Sequence, residues 1–442
     1  MTRPNHDADA AVEIDTTGRA TRGGQTPLRL PHRGVAYGNA GQRPGRRASP
    51  AALDHLRPRS ATPPGTTGDR KVPRSHDRRG TTQPPGELVL AASQPLRVAL
   101  LAPPTTTISP SSLELDQVRW LAEGLAERGH QVTLVGAGLD GLTATDAYAV
   151  IDTDPTGGQG ASAEIIEGLH AEQAGKALER LGEVEVVGDH TSTGWQPAGG
   201  ASLHTRTLQT SYRPLVGRLE PAPKRAGHLG WVAVSGHQQH TAPTMPWVGK
   251  IHPAIPIGEH KLCFTHTGPC VYLGPLTKRH GAALALTAAH TAGRPIVLAG
   301  TQPGATATAH SEVELRPRLG AGDALLEQAG RLERWDLLAN SSCLVAPLHP
   351  AVPYSLEIIE PMAYGTPVVT TVGTVGAELV SHGVSGLVVD DPALLAKAIS
   401  KAAGLDPQRV RAHAASHFDL PQMVAAYQRL FTRLAGAAAG GR

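Results

Sequence analysis

The sequence predicts an α/β protein built from two doubly wound parallel sheets that follow a basic leader. Short apolar runs, most of them bounded by Pro or Gly, alternate with helical segments between residues 96 and 436. These runs form two successive series with a proline-rich stretch between them. With 442 residues and 40% hydrophobic content, the chain is long enough to bury a core in each series.

The leader, residues 1 to 95, differs in composition from the rest of the chain. It contains 15 Lys and Arg against 8 Asp and Glu, whereas the remaining residues contain 26 and 30. It is rich in Pro, Gly, Thr and Arg without a repeat, which predicts disorder. A basic segment can attract nucleic acid, but this one has almost no aromatic side chains to stack on bases, so we expect no nucleic-acid partner.

Cysteine content and hydropathy indicate the compartment. Cys263, Cys270 and Cys343 are too few for a disulfide framework, which favours a reducing compartment. Cys263 and Cys270 bracket His266, but their spacing and the lack of a fourth ligand nearby argue against a metal site. Because no apolar run reaches membrane-spanning length and the start lacks a secretory pattern, we expect a cytoplasmic protein. A peripheral membrane contact and the oligomeric state stay open.

The first series begins with an apolar run from Leu96 that two prolines stop, as expected of a buried parallel strand and its exit loop. A helix is predicted from Leu113 to Arg128, because its apolar side chains share one face and Gly129 supplies a left-handed stop. Further strands are predicted at residues 131–135, 184–187 and 231–235. Residues 139 to 175 are the least readable part of this series.

The second series is predicted from five strands, at residues 271–274, 295–300, 343–347, 367–370 and 386–389. The boundary should lie near residues 245 to 260, where three prolines interrupt regular structure. The predicted domains are therefore residues 96–248 and 249–420, followed by a last helix within residues 421–442. That helix carries Val424, Tyr427 and Phe431 on one face, so it needs a surface to pack on.

Residues 352 to 369 predict a helix that carries a carboxylate and leads through a glycine turn into a buried strand. A carboxylate accepts hydrogen bonds from a ribose diol, and a helix N-terminus offers backbone N–H groups to a diphosphate. Glu360, with Tyr354, Ser355 and Leu356 one to two turns before it, has this layout. Apolar neighbours favour a partly enclosed Glu360, although a place on a solvated helix face is the alternative.

Several phrases resemble glycosyltransferases of the GT-B fold, most closely family four among them. They are Ala-Pro-Pro after the first strand, Leu121-Ala-Glu-Gly-Leu-Ala-Glu-Arg-Gly-His, Gly188-Asp-His-Thr, Trp247-Val-Gly-Lys-Ile-His-Pro and Gly383-Val-Ser-Gly-Leu-Val-Val-Asp-Asp. The resemblance covers residues 96 to 436. It implies two Rossmann-like domains that face a cleft, an N-terminal domain for the acceptor and a C-terminal domain for the nucleotide-sugar. It also implies a final helix that crosses back to the first domain.

The chain departs from the family pattern on the donor side. The family's Tyr-Gly-Gly loop is replaced by Ser111 and Ser112, which the resemblance places near the donor phosphates. Proline and histidine, Pro275 and His280, replace the family's arginine and lysine, and Lys278 and Arg279 keep positive charge close by at shifted positions. Val352 replaces the first glutamate of the motif that ends at Glu360.

Two histidines resemble family residues at the ends of N-terminal strands. His204 is the stronger candidate for contacting the donor sugar, and His190 is the second catalytic candidate. Either can instead be a hydrogen-bonded structural histidine.

The resemblance implies transfer of a hexose from a nucleotide-sugar to an acceptor hydroxyl with retention of configuration, without a cofactor, a metal or a protein nucleophile. The four departures leave a second reading open, a catalytically inactive GT-B relative that acts as a binding or scaffold protein. An epimerase on the same fold is a third class, based on fold analogy alone.

Overall fold

The structure, a computed structural model, describes residues 94–103, 113–136, 146–149, 163–181, 183–191, 206–215, 230–300, 305–327 and 331–439. The leader that the sequence predicts to be disordered lies outside these ranges, apart from its last two residues. So does much of the least readable stretch.

An N-terminal domain is built on a seven-stranded sheet in the order β3-β2-β1-β4-β5-β6-β7, with every neighbouring pair parallel. Its strands are β1 (Arg97–Leu101), β2 (Gln131–Gly136), β3 (Asp146–Ala149), β4 (Val186–Asp189), β5 (Thr207–Thr210), β6 (Gly230–Ala233) and β7 (Trp247–Lys250). Its helices are α1 (Leu113–Glu127), α2 (Ala163–Arg180) and α3 (Gly236–Thr241).

A C-terminal domain is built on a six-stranded parallel sheet in the order β10-β9-β8-β11-β12-β13. Its strands are β8 (Cys270–Leu273), β9 (Ile296–Gly300), β10 (Ala324–Glu327), β11 (Cys343–Ala346), β12 (Val368–Thr371) and β13 (Gly386–Val389). Its helices are α4 (Ala282–Thr291), α5 (Ala305–His310), α6 (Arg331–Asn340), α7 (Leu356–Ala363), α8 (Gly376–Leu379), α9 (Leu395–Ala402) and α10 (Pro407–Phe418). Short 3₁₀ and π turns lie at Ile257–Glu259, Lys278–His280, Ser311–Leu315, Arg316–Arg318 and Pro392–Leu394.

The last helix, α11 (Leu420–Ala439), packs on the N-terminal domain although it follows the C-terminal one. Val424, Tyr427 and Phe431 lie in the same core as α1 and β1. The approach to α1 is close, since a Cβ on Gly124 would lie 2.6 Å from a methyl group of Val424. The chain therefore crosses between the two domains a second time at its C-terminal end.

Strand β7 lies inside the stretch in which prolines predicted no regular structure. It occupies the edge of the first sheet and pairs only with β6, so the prolines flank it rather than interrupt a ladder. The first sheet thus continues to Lys250, inside the stretch from residue 245 to 260 in which the boundary is predicted. Within the part of the chain that the structure describes, no helix is long and apolar enough to cross a membrane.

Candidate functional site

A cavity of about 350 Å³ lies between the two domains. It is lined by residues 212 to 214 from the N-terminal domain, and by residues 272 to 275, His280 and residues from 348 to 357 of the C-terminal domain. The segments 212–214, 272–275 and 348–357 each begin at or shortly after the carboxyl end of a parallel strand, β5, β8 and β11. Open α/β sheets bind ligands at this edge.

The start of α7 forms one wall of the cavity. Ser355 is its N-cap residue, but the Ser355 hydroxyl does not bond the first-turn N–H groups. It donates instead to the Glu357 carboxylate, Oγ to Oε2, at 3.0 Å. Tyr354 fixes the preceding loop, because its hydroxyl donates to the carbonyl of Pro253 at 2.5 Å. Of the predicted donor residues, Tyr354 and Ser355 line the cavity and Leu356 lies next to them in the first turn.

The loop after β8 forms the floor. The buried Tyr272 holds this loop by donating to the carbonyl oxygens of Pro275 at 3.0 Å and His280 at 3.1 Å. Gly281 has φ +85°, and a Cβ there would lie 2.3 Å from the carbonyl oxygen of Pro347, so the loop is pressed against the end of β11. Pro275 and His280, the two positions at which the resemblance implies lost cations, both line the cavity.

The N-terminal domain contributes a cation to the cavity that was not predicted from the sequence. Tyr212 and Arg213 follow β5 and line the cavity. Burial raises the pKa of Glu114, Arg213 opposes that shift and Glu357 adds to it, so each of these two charges lies within electrostatic range of Glu114. The cavity therefore has Arg213 on the N-terminal side and a carboxylate, Glu357, on the C-terminal side.

Glu360, the predicted ribose contact, is only 4% exposed and does not line the cavity. Its carboxylate forms an ion pair and a short hydrogen bond with the guanidinium of Arg334 from α6. Burial lowers the pKa of Arg334, but Glu360 and Glu357 outweigh that effect and raise it. The solvated helix face is thus excluded for Glu360, and a ligand hydroxyl would have to share or displace Arg334.

His190 is 1% exposed and lies behind Tyr212, away from the cavity surface. Its Nδ1 is 3.0 Å from the Tyr212 hydroxyl, and its ring packs against Tyr212 and Tyr427. Burial lowers the pKa of His190 to about 3, so the ring is neutral. A neutral ring in this position orients Tyr212.

The other predicted residues divide into those that reach the cavity and those that do not. Val352 lines the cavity. Lys278 is exposed in the 3₁₀ turn and does not line it, and Arg279 belongs to the same turn. Ser111, Ser112 and His204 lie outside the described residues.

The three cysteines are free thiols, and Cys270 and Cys343 meet on neighbouring strands with their sulfurs 3.8 Å apart. His266 is engaged elsewhere, because its Nδ1 donates to the carbonyl oxygen of Ser341 at 3.1 Å. Among the described residues, no group of three or more His, Cys, Asp or Glu side chains is placed to hold a metal.

Tyr212, Arg213 and Glu357 are among the cavity residues that were not predicted from the sequence. For Tyr212 and Arg213 the reason is local. The missing signal is β5, whose sequence Thr-Leu-Gln-Thr is too polar to predict a buried strand. With β5 recognised, the Tyr-Arg pair at its carboxyl end would have been a candidate by position alone.

The comparisons agree with this architecture. Residues 269–404, which form most of the C-terminal domain, match the model of the family Glycosyl transferases group 1. No curated protein sequence matches the chain.

Solved structures of similar fold cover both domains. AviGT4, a glycosyltransferase involved in avilamycin A biosynthesis, is 21% identical with a TM-score of 0.57, over 77% of this chain and 98% of that one. Sucrose-phosphate synthase from Thermosynechococcus elongatus is 15% identical with a TM-score of 0.58, over 77% and 100%. Anabaena HepE, solved with UDP and glucose, is 16% identical with a TM-score of 0.56, over 76% and 100%. The predicted fold is confirmed: two parallel-sheet domains facing a cleft, the GT-B fold.

Proposed function

We propose that this protein is a glycosyltransferase that moves a hexose from a nucleotide-sugar to an acceptor hydroxyl with retention of configuration. One observation carries the proposal: the N-terminus of α7 and Arg213, which come from different domains, line the same cavity. Both groups suit a diphosphate, the first through backbone N–H donors and the second through a guanidinium. The family match over residues 269–404 and the UDP and glucose bound by HepE support the same class of ligand.

The proposed donor contacts follow from this placement. The first-turn N–H groups at Leu356 and Glu357 bind the diphosphate from the C-terminal side, with Tyr354 holding their loop. The Ser355 hydroxyl joins them by turning its proton from the Glu357 carboxylate to the diphosphate. Arg213 supplies a permanent positive charge from the N-terminal side, and the floor residues Pro275 and His280 carry no permanent one. Lys278 and Arg279 are proposed to support the donor site from the 3₁₀ turn to which they belong, and Ser111 and Ser112 remain proposed phosphate contacts.

Two further roles concern the sugars. Glu360 is proposed to bind the ribose diol after exchanging part of its contact with Arg334. His204 is proposed to contact the transferred hexose, and His190 to act through Tyr212 rather than on the substrate itself.

The proposed reaction needs neither a metal nor a protein nucleophile. The bond between the anomeric carbon and the donor phosphate oxygen breaks, and the acceptor oxygen forms a bond to the same face of that carbon. The acceptor proton passes to the leaving phosphate, whose developing charge is stabilised by Arg213 and the α7 N-terminus. We place the protein in the cytoplasm, in keeping with its free thiols, and leave a peripheral membrane contact open.

A calorimetric titration of the full-length chain tests the proposal. UDP, GDP and ADP, each alone and as its hexose conjugate, are added up to about 1 mM, near the upper end of the usual range of KM values. Binding of one base series followed by sugar release or transfer is the expected result. No binding across the series would refute the transferase and support the non-catalytic GT-B relative.

The double variant Pro275→Arg with His280→Lys restores the two cations of the family pattern on the cavity floor. If the wild-type chain binds no nucleotide but the double variant does, the donor site of the natural chain has lost its ligand. If the wild-type chain already binds, the double variant should tighten binding further, because each charged hydrogen bond contributes about 1.5–3 kcal/mol.

A further inference from the structure

Glu378, on the short helix α8 of the C-terminal domain, is held by four donors from the other side of the domain junction. Its Oε1 and Oε2 accept from the backbone N–H groups of Gly236 and His237, both at 2.8 Å. Lys250 Nζ lies 2.9 Å and His252 Nε2 3.0 Å from the same carboxylate. Glu378 does not line the cavity, so these contacts serve the junction and not a ligand.

Residues 235 to 238, which we name the clamp turn, also contact both walls of the cavity. Ser235 Oγ donates to the carbonyl of Pro353 at 2.6 Å, and His237 Nε2 lies 2.5 Å from the carbonyl oxygen of Pro350, so the C-terminal wall is held at two points. Gln238 Nε2 donates to the carbonyl of Ser211 at 2.9 Å, directly before Tyr212 and Arg213 of the N-terminal wall. One turn thus connects the segments that carry the two proposed phosphate contacts.

The turn itself is ordered by its own hydrogen bonds. Ser235 Oγ accepts from the N–H of Gln238 at 2.8 Å, and the Gln238 side-chain oxygen accepts from the N–H of Val234 at 2.9 Å. The turn therefore moves as a unit, and whatever anchors Gly236 and His237 also fixes the position of Ser235 and Gln238. Glu378 is the anchor on the C-terminal domain.

The Glu378 carboxylate remains charged across the working pH range. Burial by itself raises its pKa, but hydrogen bonds from His252, the Gly236 N–H, Lys250 and the His237 N–H outweigh burial and hold the pKa well below its usual range. Hydrogen bonds to an ionised acceptor are the strong ones in proteins. Glutamine at this position would keep the shape of the side chain but lose the negative charge that pairs with Lys250.

We propose that Glu378 is a positioning residue that anchors the clamp turn and thereby fixes the spacing between Arg213 and the α7 N-terminus. The kinetic consequence rests on the proposed transferase function, whereas the structural consequence does not. Misplacing a contact by about 1 Å can lower a rate on the order of 100-fold, so loosening this anchor should lower kcat at an unchanged fold.

Hydrogen exchange of the full-length chain, read by mass spectrometry, tests the anchor without any ligand. The variant is Glu378→Gln, and the matched control is Glu333→Gln, a glutamate exposed on α6. We expect faster exchange in peptides covering residues 210–215, 235–241 and 351–358 of Glu378→Gln, and wild-type exchange in the control. Wild-type exchange at 210–215 and 351–358 in Glu378→Gln would overturn the proposal, because the carboxylate would then not hold the walls.

A second variant keeps the proposal testable if Glu378→Gln does not fold. Lys250→Met removes one donor whose side chain is 42% exposed, and it should show the same pattern to a smaller extent. If Glu378→Gln does not fold, wild-type exchange at both walls in Lys250→Met overturns the proposal.

Turnover, where the chain has it, is read separately in the same variants. We expect kcat to fall at least 10-fold in Glu378→Gln, with a smaller fall in the affinity for nucleotide, because each wall keeps its own contacts while the spacing between the walls loosens. A chain without turnover refutes the proposed function and leaves the exchange result to decide on Glu378.

Discussion

Replacing Arg213 by Met tests the proposed charge arrangement most directly. Among the described residues that line the cavity, Arg213 is the one with a permanent positive charge. Methionine keeps an unbranched apolar side chain of similar reach and removes the guanidinium. The segment itself should stay in place, because Gln238 holds the carbonyl of Ser211 and Arg213 N donates to the Ser211 hydroxyl at 3.2 Å.

The size of the effect follows from the charge that is lost. A hydrogen bond to a charged group contributes about 1.5–3 kcal/mol, so the affinity for UDP, or for whichever diphosphate binds, should fall about 10- to 150-fold. Uridine carries no phosphate and should bind equally well to both proteins. The difference between the two ligands isolates the phosphate contact from any change in the shape of the cavity.

Calorimetry of the full-length chain measures both affinities in wild type and in three variants. Arg213→Met is compared with Lys278→Met, on the exposed 3₁₀ turn, and with Lys401→Met, exposed on α9, as the matched control. The reasoning is refuted if Arg213→Met weakens UDP less than about twofold, or weakens uridine to the same extent. If Lys278→Met alone caused a large loss of affinity for UDP, the phosphate contact would belong to Lys278 on the 3₁₀ turn instead.

Three further predictions concern the cavity and the core. Glu357→Gln should tighten UDP binding roughly tenfold, since it removes a like charge beside the diphosphate; unchanged affinity in the same titration would argue against a diphosphate at α7. The pKa of His190 is about 3 in the folded state, below its ordinary value of about 6.5. Its contribution to stability is therefore complete above pH 6.5 and declines as the pH falls towards 3, by about 2 kcal/mol at pH 5. Urea unfolding at pH 7 and 5 should show a smaller loss in His190→Gln, and an equal loss would contradict this. Phe431→Ala should lower the free energy of unfolding, measured in urea, by about 3–5 kcal/mol, because Phe431 is buried in the N-terminal core. The matched control Arg429→Ala, at an exposed position of α11, should lower it by about 0.5 kcal/mol or less. Similar losses in the two variants would contradict the packing of α11 in that core.

The second sheet was predictable because its strands are buried on both faces and therefore read as continuous apolar runs. Strands β8, β11 and β12 are buried along their whole length, and each coincides with a predicted run. The alternation of such runs with helices identifies a parallel sheet without further information.

Strand β5 was missed for the opposite reason. Thr207, Gln209 and Thr210 are buried but polar, and partners distant in sequence make their burial possible. Thr210 Oγ1 lies 3.0 Å from the hydroxyl of Tyr427 on α11, and Gln209 hydrogen bonds to Asp189 on the neighbouring strand. Hydropathy read along the chain cannot detect polar groups that are satisfied by residues so far away.

The site residues differ in the same way: some were predictable from local sequence, and others depend on partners distant in sequence. Tyr354, Ser355, Val352, Pro275 and His280 could be placed from local motifs, and all five line the cavity. The pairing of Glu360 with Arg334, and the position of His190 behind Tyr212, depend on how separate elements pack. A motif identifies which residues share a turn of helix, but it does not show which of their side chains will pair with a side chain of a neighbouring helix.

The residues at positions 275 and 280 on the cavity floor and the proposed anchor at Glu378 both affect the affinity for a diphosphate in the cavity. With proline and histidine at positions 275 and 280, the C-terminal domain offers a diphosphate backbone donors at α7 but no permanent cation along the cavity surface that the structure describes. Arg213 offers that charge from the other domain, so a ligand that uses both gains its full affinity only while the clamp turn keeps the walls at this distance. By thermodynamic linkage, whatever stabilises this arrangement must tighten such a ligand, and the ligand must stabilise the arrangement in return. For a nucleotide that binds as proposed, binding and the junction at Glu378 are one coupled equilibrium, in which a substitution outside the cavity lining changes affinity without touching the ligand.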